Sequence, residues 1–205
     1  MLEKLIVIVE EESAEAALHS ILPKLLPESE FQIIRFQGKQ NLLRNLLARL
    51  RGFKSWLPEN WMLLVLVDQD RDDCHALKEK LEAIALQAGL KSKSAIRGGS
   101  QFQIVNRIVI EELESWFFGD WEAVRSVYPK VPRTIPSQEQ YRDPDAIPGG
   151  TWEALERILQ RNGYFEAGLR KIELARSVAP HMELTKNSSR SFQIFRNTLE
   201  DASTH

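Results

Sequence analysis

Two hundred and five residues with 27% charged side chains and a formal net charge of −2 suffice for one buried core, with or without a helical appendage. That near-neutral balance excludes a globally basic nucleic-acid binder, so a polyanion would have to be met by a local basic patch or a bridging metal. Cys74 is the only cysteine, which excludes an internal disulfide and suits a reducing compartment, and no stretch approaches the roughly 18 apolar residues of a membrane span.

The chain opens with Leu5-Ile6-Val7-Ile8-Val9, a branched apolar run that reads as a strand over residues 4–10. It is one strand long and is followed by acids, so it does not read as a signal peptide. Ser13 then N-caps an apolar helix face of Ala16, Ala17, Leu18, Ile21 and Leu22 that stops near Pro23. Phe31 to Phe36 alternates as a second strand. Leucines at 42, 43, 46, 47 and 50 mark a helix over Asn41–Leu50. Residues 62–67 form the third strand, and Asp72–Ala88 a helix with Leu77, Leu81 and Ile84 on one face, stopped by Gly89.

After Gly89 the pattern weakens. Lys93–Arg97 and Phe102–Ile110 read as strands separated by Gly98-Gly99, and Glu111–Phe118 and Trp121–Tyr128 as helices. Residues 129–150 hold five of the nine prolines and Gly149-Gly150, and read as an irregular loop. Trp152–Arg161, Gly168–Ala179 and Ser188–Leu199 read as three helices. The expected fold class is α/β: a mostly parallel sheet with helices on both faces and a helical C-terminal part. The expected organisation is a core at 1–128, a Pro/Gly-rich loop at 129–150 and a helical part at 151–205 packed on the core.

The chemistry is concentrated where strands end. The first run closes on Glu10, and Leu63-Leu64-Val65-Leu66-Val67 closes on Asp68-Gln69-Asp70. Open α/β sheets bind ligands at the carboxyl ends of their strands. Three carboxylates gathered there repel one another unless a cation lies between them, and an all-oxygen set suits magnesium or manganese. A calcium loop starting at Asp68 would need glycine where Asp73 stands and a helix where a strand precedes it. The G-x-x-x-x-G-K-[ST] phosphate loop is absent, and a haloacid-type phosphatase would carry aspartates, not Glu10, after its first strand.

Glutamate after the first strand and Asp-x-Asp after a later one resembles the Toprim arrangement of topoisomerases, primases and a class of nucleases. Glu10-Glu11-Glu12-Ser13 and Asp68-Gln69-Asp70-Arg71-Asp72-Asp73-Cys74 are similar to two signature blocks of a bacterial Toprim-like group, domain-of-unknown-function family 4276. Two later blocks resemble it as well: Glu112-Leu113-Glu114-Ser115-Trp116, and Arg170-Lys171 through His181 to Ser189-Arg190-Ser191-Phe192. The resemblance implies a partner ATPase, as in two-gene relatives of overcoming-lysogenisation-defect nucleases, and a role in phage or plasmid defence. One departure is Glu11, where the family's usual residue is glycine; glutamate adds bulk and negative charge beside the site.

From these observations Glu10, Asp68 and Asp70 are the expected metal centre, with Asp73 within reach of a second ion although it suits capping of the next helix. Glu114 and Lys171 join them as candidate catalytic residues, Lys171 steadying transition-state charge. Asp72 reads as a capping residue, Asp120 as the cap before Trp121, and Arg97 with Gly98-Gly99-Ser100 either as a phosphate-binding turn or as an ordinary glycine turn. Lys171, Arg176, His181, Lys186, Arg190 and Arg196 form a locally basic region or a solvated face. Cys74 lacks a catalytic partner. The expected activity is magnesium- or manganese-dependent phosphodiester hydrolysis of DNA by a cytoplasmic protein, with homo-oligomers allowed. The alternatives are a non-enzymatic recognition component of an ATPase complex and, more distantly, nucleotidyl transfer.

Overall fold

The computed structural model describes residues 2–96 and 101–204. Arg97 and Gly98-Gly99-Ser100, read above as a phosphate-binding or ordinary glycine turn, lie outside them. Four strands, β1 (Lys4–Val9), β2 (Glu30–Arg35), β3 (Trp61–Asp68) and β4 (Ile104–Val109), form one all-parallel sheet in the order β2-β1-β3-β4. The fold class is therefore the α/β arrangement expected from the alternation of strands and helices. β1 and β3 occupy the centre because their runs are apolar on both faces, as burial on both sides requires.

Side-chain alternation sorts the core into two layers. Ile6, Ile8, Leu63, Val65 and Val67 pack under α2 (Lys39–Lys54) and α3 (Cys74–Gln87). Leu5, Val7, Val9, Leu64 and Leu66 face α1 (Glu12–Leu25) and the C-terminal helices. Those helices are α4 (Glu114–Gly119), α5 (Trp121–Val127), α6 (Thr151–Arg161), α7 (Lys171–Val178) and α8 (Arg190–Thr204). Trp116, Phe192 and Phe195 join α4 to α8, with ring centroids 4.9–6.0 Å apart.

Several boundaries differ from the sequence reading. α1 starts at Glu12 with Glu11 as its N-cap, so Ser13 is a buried residue of the first turn rather than the cap. Pro23 lies inside the last turn of α1 and does not stop it. Residues 93–96 of the expected 93–97 strand are not a strand: Lys93–Ala95 is a turn, and Ser92 bridges to Ile104; Arg97 lies outside the described residues. α4 begins at Glu114 rather than Glu111, because Glu111 takes a positive φ of 61° that ends the preceding path. Within 129–150, Ile135–Ser137 and Glu139–Tyr141 are 3-10 turns, and Val131, Ile135, Tyr141 and Ile147 anchor the segment in the core. No described helix is long and apolar enough to cross a membrane.

Candidate functional site

The parallel sheet sends the ends of β1, β3 and β4 to the same edge, and three carboxylates meet behind it. Glu10 is 5% exposed, Asp68 8% and Glu114 1%. The Asp68 backbone N–H donates to Glu10 Oε1 at 2.6 Å, and the Leu113 N–H donates to Asp68 Oδ2 at 3.3 Å. Adjacent registry explains the first contact: β1 and β3 run side by side, so each strand's first residue past its apolar run reaches its neighbour.

Burial dominates the electrostatics. It raises Glu10 to about 7 despite the Asp68 N–H and the nearby Lys39 charge, both of which favour the carboxylate. Asp68 is pushed well above its ordinary range by burial, then by Glu10 and Glu114. Glu114 also rises to about 7 through burial, with Lys171 opposing. Neither Glu114 oxygen has a hydrogen-bond partner; the nearest ion-pair contact is Lys171 Nζ at 4.0 Å.

Two lysines separate these acids from an open cleft of about 910 Å³. Lys171, at the first turn of α7, lies 3.4 Å from Glu112 Oε1 and over the Trp152 ring at 4.9 Å. Burial alone would lower its pKa, but Glu114 and Glu112 outweigh it and carry Lys171 to about 12. Glu112 in turn accepts from the Trp152 N–H at 3.1 Å and from Thr151 Oγ1 at 3.3 Å, tying it to the start of α6. Lys39, buried at the start of α2, donates to Asp70 Oδ2 at 2.6 Å, Asp72 Oδ2 at 2.9 Å and the Gln69 carbonyl at 2.9 Å. Its pKa is raised: burial works against the charge, and the bonds to Asp70 and Asp72 prevail.

The structure thus places Glu10, Asp68 and Glu114 together, and Lys171 beside Glu114. Asp70 sits nearer the surface, at φ 51°, and pairs with Lys39. Asp73 accepts from the Ala76 N–H at 2.7 Å as the N-cap of α3, while Asp72 binds Lys39 rather than capping. Asp120 caps α5 through Ala123 N–H and also accepts from the Glu183 N–H at 2.6 Å. The basic C-terminal residues do not form one patch. Arg176 pairs with Glu12, Lys186 with Glu183 and Arg196 with Glu200, and only Lys171 faces the acids.

Sequence reasoning missed Lys39 and Glu112. A glycine-lysine pair straight after the second strand is the signal for Lys39, since it puts a cation at the same sheet edge as the acids. Glu112 opens the same family-like block as Glu114, and that was its only signal.

The donor chemistry fits a hard divalent cation: oxygen ligands only, strongly desolvated, with two orphaned carboxylate oxygens. Among the described residues, however, no group of three or more His, Cys, Asp or Glu side chains is already arranged to hold an ion. Burial shifts all three acids toward their neutral forms, and the Lys39 and Lys171 ammonium groups lie beside the site.

A family model described as domain of unknown function (DUF4276) matches residues 9–200. No curated protein and no solved structure matches.

Proposed function

The chain belongs to the DUF4276 family, and we propose that it is a magnesium- or manganese-dependent phosphodiesterase whose substrate is nucleic acid, DNA foremost. One observation carries this reading: Glu10, Asp68 and Glu114 are buried together at the carboxyl ends of a parallel sheet, two of them titrating near 7. Crowding of buried acids with raised pKa values is the kind of arrangement found where a site exchanges protons for a cation or substrate. The order of the acids, with Glu10 after β1 and Asp68-Gln69-Asp70 after β3, supports a Toprim relationship. That relationship extends the proposal to a cytoplasmic defence nuclease working with a partner ATPase.

In this reading Glu10, Asp68 and Asp70 would hold the ion, which supplies Lewis-acid charge and an acidified water at a phosphoryl group. Lys171 holds its proton firmly and presents an ammonium to the cleft, suited to charge developing on phosphate oxygens. Glu114, near its midpoint at neutral pH, can accept or return a proton. Lys39 orients Asp70 through their 2.6 Å pair. Asp73 remains a cap.

Calorimetric titration of manganese into the wild type and Asp68→Asn tests the centre directly. Saturable binding that Asp68→Asn loses is expected. Manganese-dependent cleavage of plasmid and single-stranded DNA should then disappear in Glu10→Gln and Asp68→Asn without loss of fold. Binding and cleavage that survive both substitutions would sink the assignment. A second reading rests on the Lys39–Asp70 pair, which already neutralises one proposed ligand. It makes the pocket a recognition element of an ATPase complex. Metal binding without cleavage, alone or with partner and nucleotide, would favour it.

A further inference from the structure

β4 is an edge strand, and its outward side is only partly covered. Leu63 N–H donates to the Gln103 carbonyl and Gln69 N–H to the Val109 carbonyl, so odd-numbered residues of β4 face β3. The even-numbered ones face outward. Ile104 is covered by the chain itself, bonding through its N–H to the Lys91 carbonyl and through its carbonyl to the Lys93 N–H. The Asn106 carbonyl is capped by Lys78 Nζ at 2.6 Å and Arg107 Nη1 at 3.2 Å. Beyond that cap, the outward backbone groups of Ile108 and those of Ile110 make no hydrogen bond to a described residue. An unpaired strand edge is a template for another strand.

This open stretch lies in a groove of about 470 Å³ between α3 and α8, apart from the carboxylate cleft. Its apolar surface comes from Ile108, Ile110 and Ile194, the last 46% exposed on α8 and one of only three large hydrophobics so exposed among the described residues. Arg190 is exposed on the rim, and neither it nor Arg107 has a carboxylate within 4 Å among the described residues; Arg107 bonds to Thr198 and the Asn106 carbonyl and is influenced by Glu82 and Asp201 at longer range. Of the groove's two acids, Asp145 is tied to α8, accepting from Ser189 Oγ and the Ser191 N–H, while Asp143 is exposed at the rim and accepts from the Asp145 N–H. Asn106, 1% exposed and lining the groove, retains an unpartnered Oδ1.

We propose that this groove binds an extended acidic segment of a partner polypeptide, which pairs with β4 at Ile108 and with Ile110 just past its end as a short further strand. An extended polypeptide matches the open backbone groups of Ile108 and Ile110. Apolar side chains on one face of the segment meet Ile194, and acidic ones meet Arg107 and Arg190. The inference does not depend on metal binding or phosphodiester hydrolysis at the carboxylate site.

The test is selection of a phage-displayed heptapeptide library on the wild-type protein, followed by fluorescence-anisotropy titration of the enriched peptides. Sequences alternating acidic and apolar residues are expected. Their affinity should fall about tenfold or more in Ile194→Glu and in Arg190→Glu, and recover in Arg190→Lys. Both altered side chains lie at the groove's surface, and circular dichroism checks that each variant is folded. N-methylation of the peptide amides that face β4 should abolish binding. No enrichment over the Ile194→Glu protein, or peptides indifferent to N-methylation, would overturn the proposal. Displacement of the peptide by single-stranded DNA, with equal or tighter DNA binding that Arg190→Glu abolishes, would overturn it in favour of a nucleic-acid track.

Discussion

Glu114 shows how one buried residue depends on one neighbour. Its carboxylate lacks hydrogen bonds, and the Lys171 ammonium at 4.0 Å is the main influence holding its pKa down against burial. Lys171→Met removes that charge while keeping much of the side-chain stem over Trp152. The Glu114 midpoint should then climb clearly above the wild type's value of about 7, leaving a neutral acid at neutral pH. A carbon-detected NMR titration of the glutamate carboxyls would follow it, and an unmoved midpoint would mean that Lys171 does not govern Glu114. At this scale the sequence was legible for the placement of Glu10 and Asp68 side by side, because an acid closing a two-face-buried strand has few places to go. It did not reveal the partner of Asp70. Two residues further on, the chain has turned through a left-handed conformation and delivers that side chain to Lys39.

Elements explain why the acids between residues 68 and 73 take different roles. Asp68 closes β3 and is buried, Asp70 and Asp72 serve Lys39, and Asp73 caps α3 by accepting the Ala76 N–H. Asp73→Ala should therefore cost about 1 kcal/mol of stability, the usual loss on deleting a cap. It should leave manganese affinity unchanged. Urea unfolding and calorimetry on the same sample separate the two effects, and a loss of metal binding would return Asp73 to the site. The strands and most helices were legible because their apolar periods are long and consistent. The segment after Gly89 was not. Ser92 makes a single bridge, and Glu111 turns the chain through positive φ before α4, a change that apolar spacing does not reveal.

The whole molecule is fastened by the layer that joins the sheet to the C-terminal helices. Trp116 is fully buried against Phe192 and Phe195, and its indole N–H donates to Ser191 Oγ at 3.1 Å. Trp116→Ala should cost about 3–5 kcal/mol, a large share of the roughly 5–15 kcal/mol of a typical domain. Far-UV and near-UV signals should still melt together, because this core continues from Leu5 on β1 to Leu199 on α8. Separate transitions would show that the helical part is energetically independent. The same burial sets the pH dependence. Glu10 and Glu114 rise from an ordinary 4.5 to about 7 in the folded chain, each on the order of 3 kcal/mol if fully expressed, and Asp68 moves the same way. Between about pH 4.5 and 7 the folded state consequently holds more protons than the unfolded one, so stability falls as pH rises. Glu82, whose pKa is lowered, acts below its ordinary 4.5, and Lys39 and Lys171 act above their ordinary 10.5, outside this window. The melting temperature without metal should thus be higher at pH 5.5 than at pH 7.5, and Asp68→Asn should flatten the slope. Manganese bound to the same carboxylates must compete with their protons, so the stabilisation it gives should be larger at pH 7.5 than at pH 5.5. A manganese effect equal at both values would place the ion on other groups.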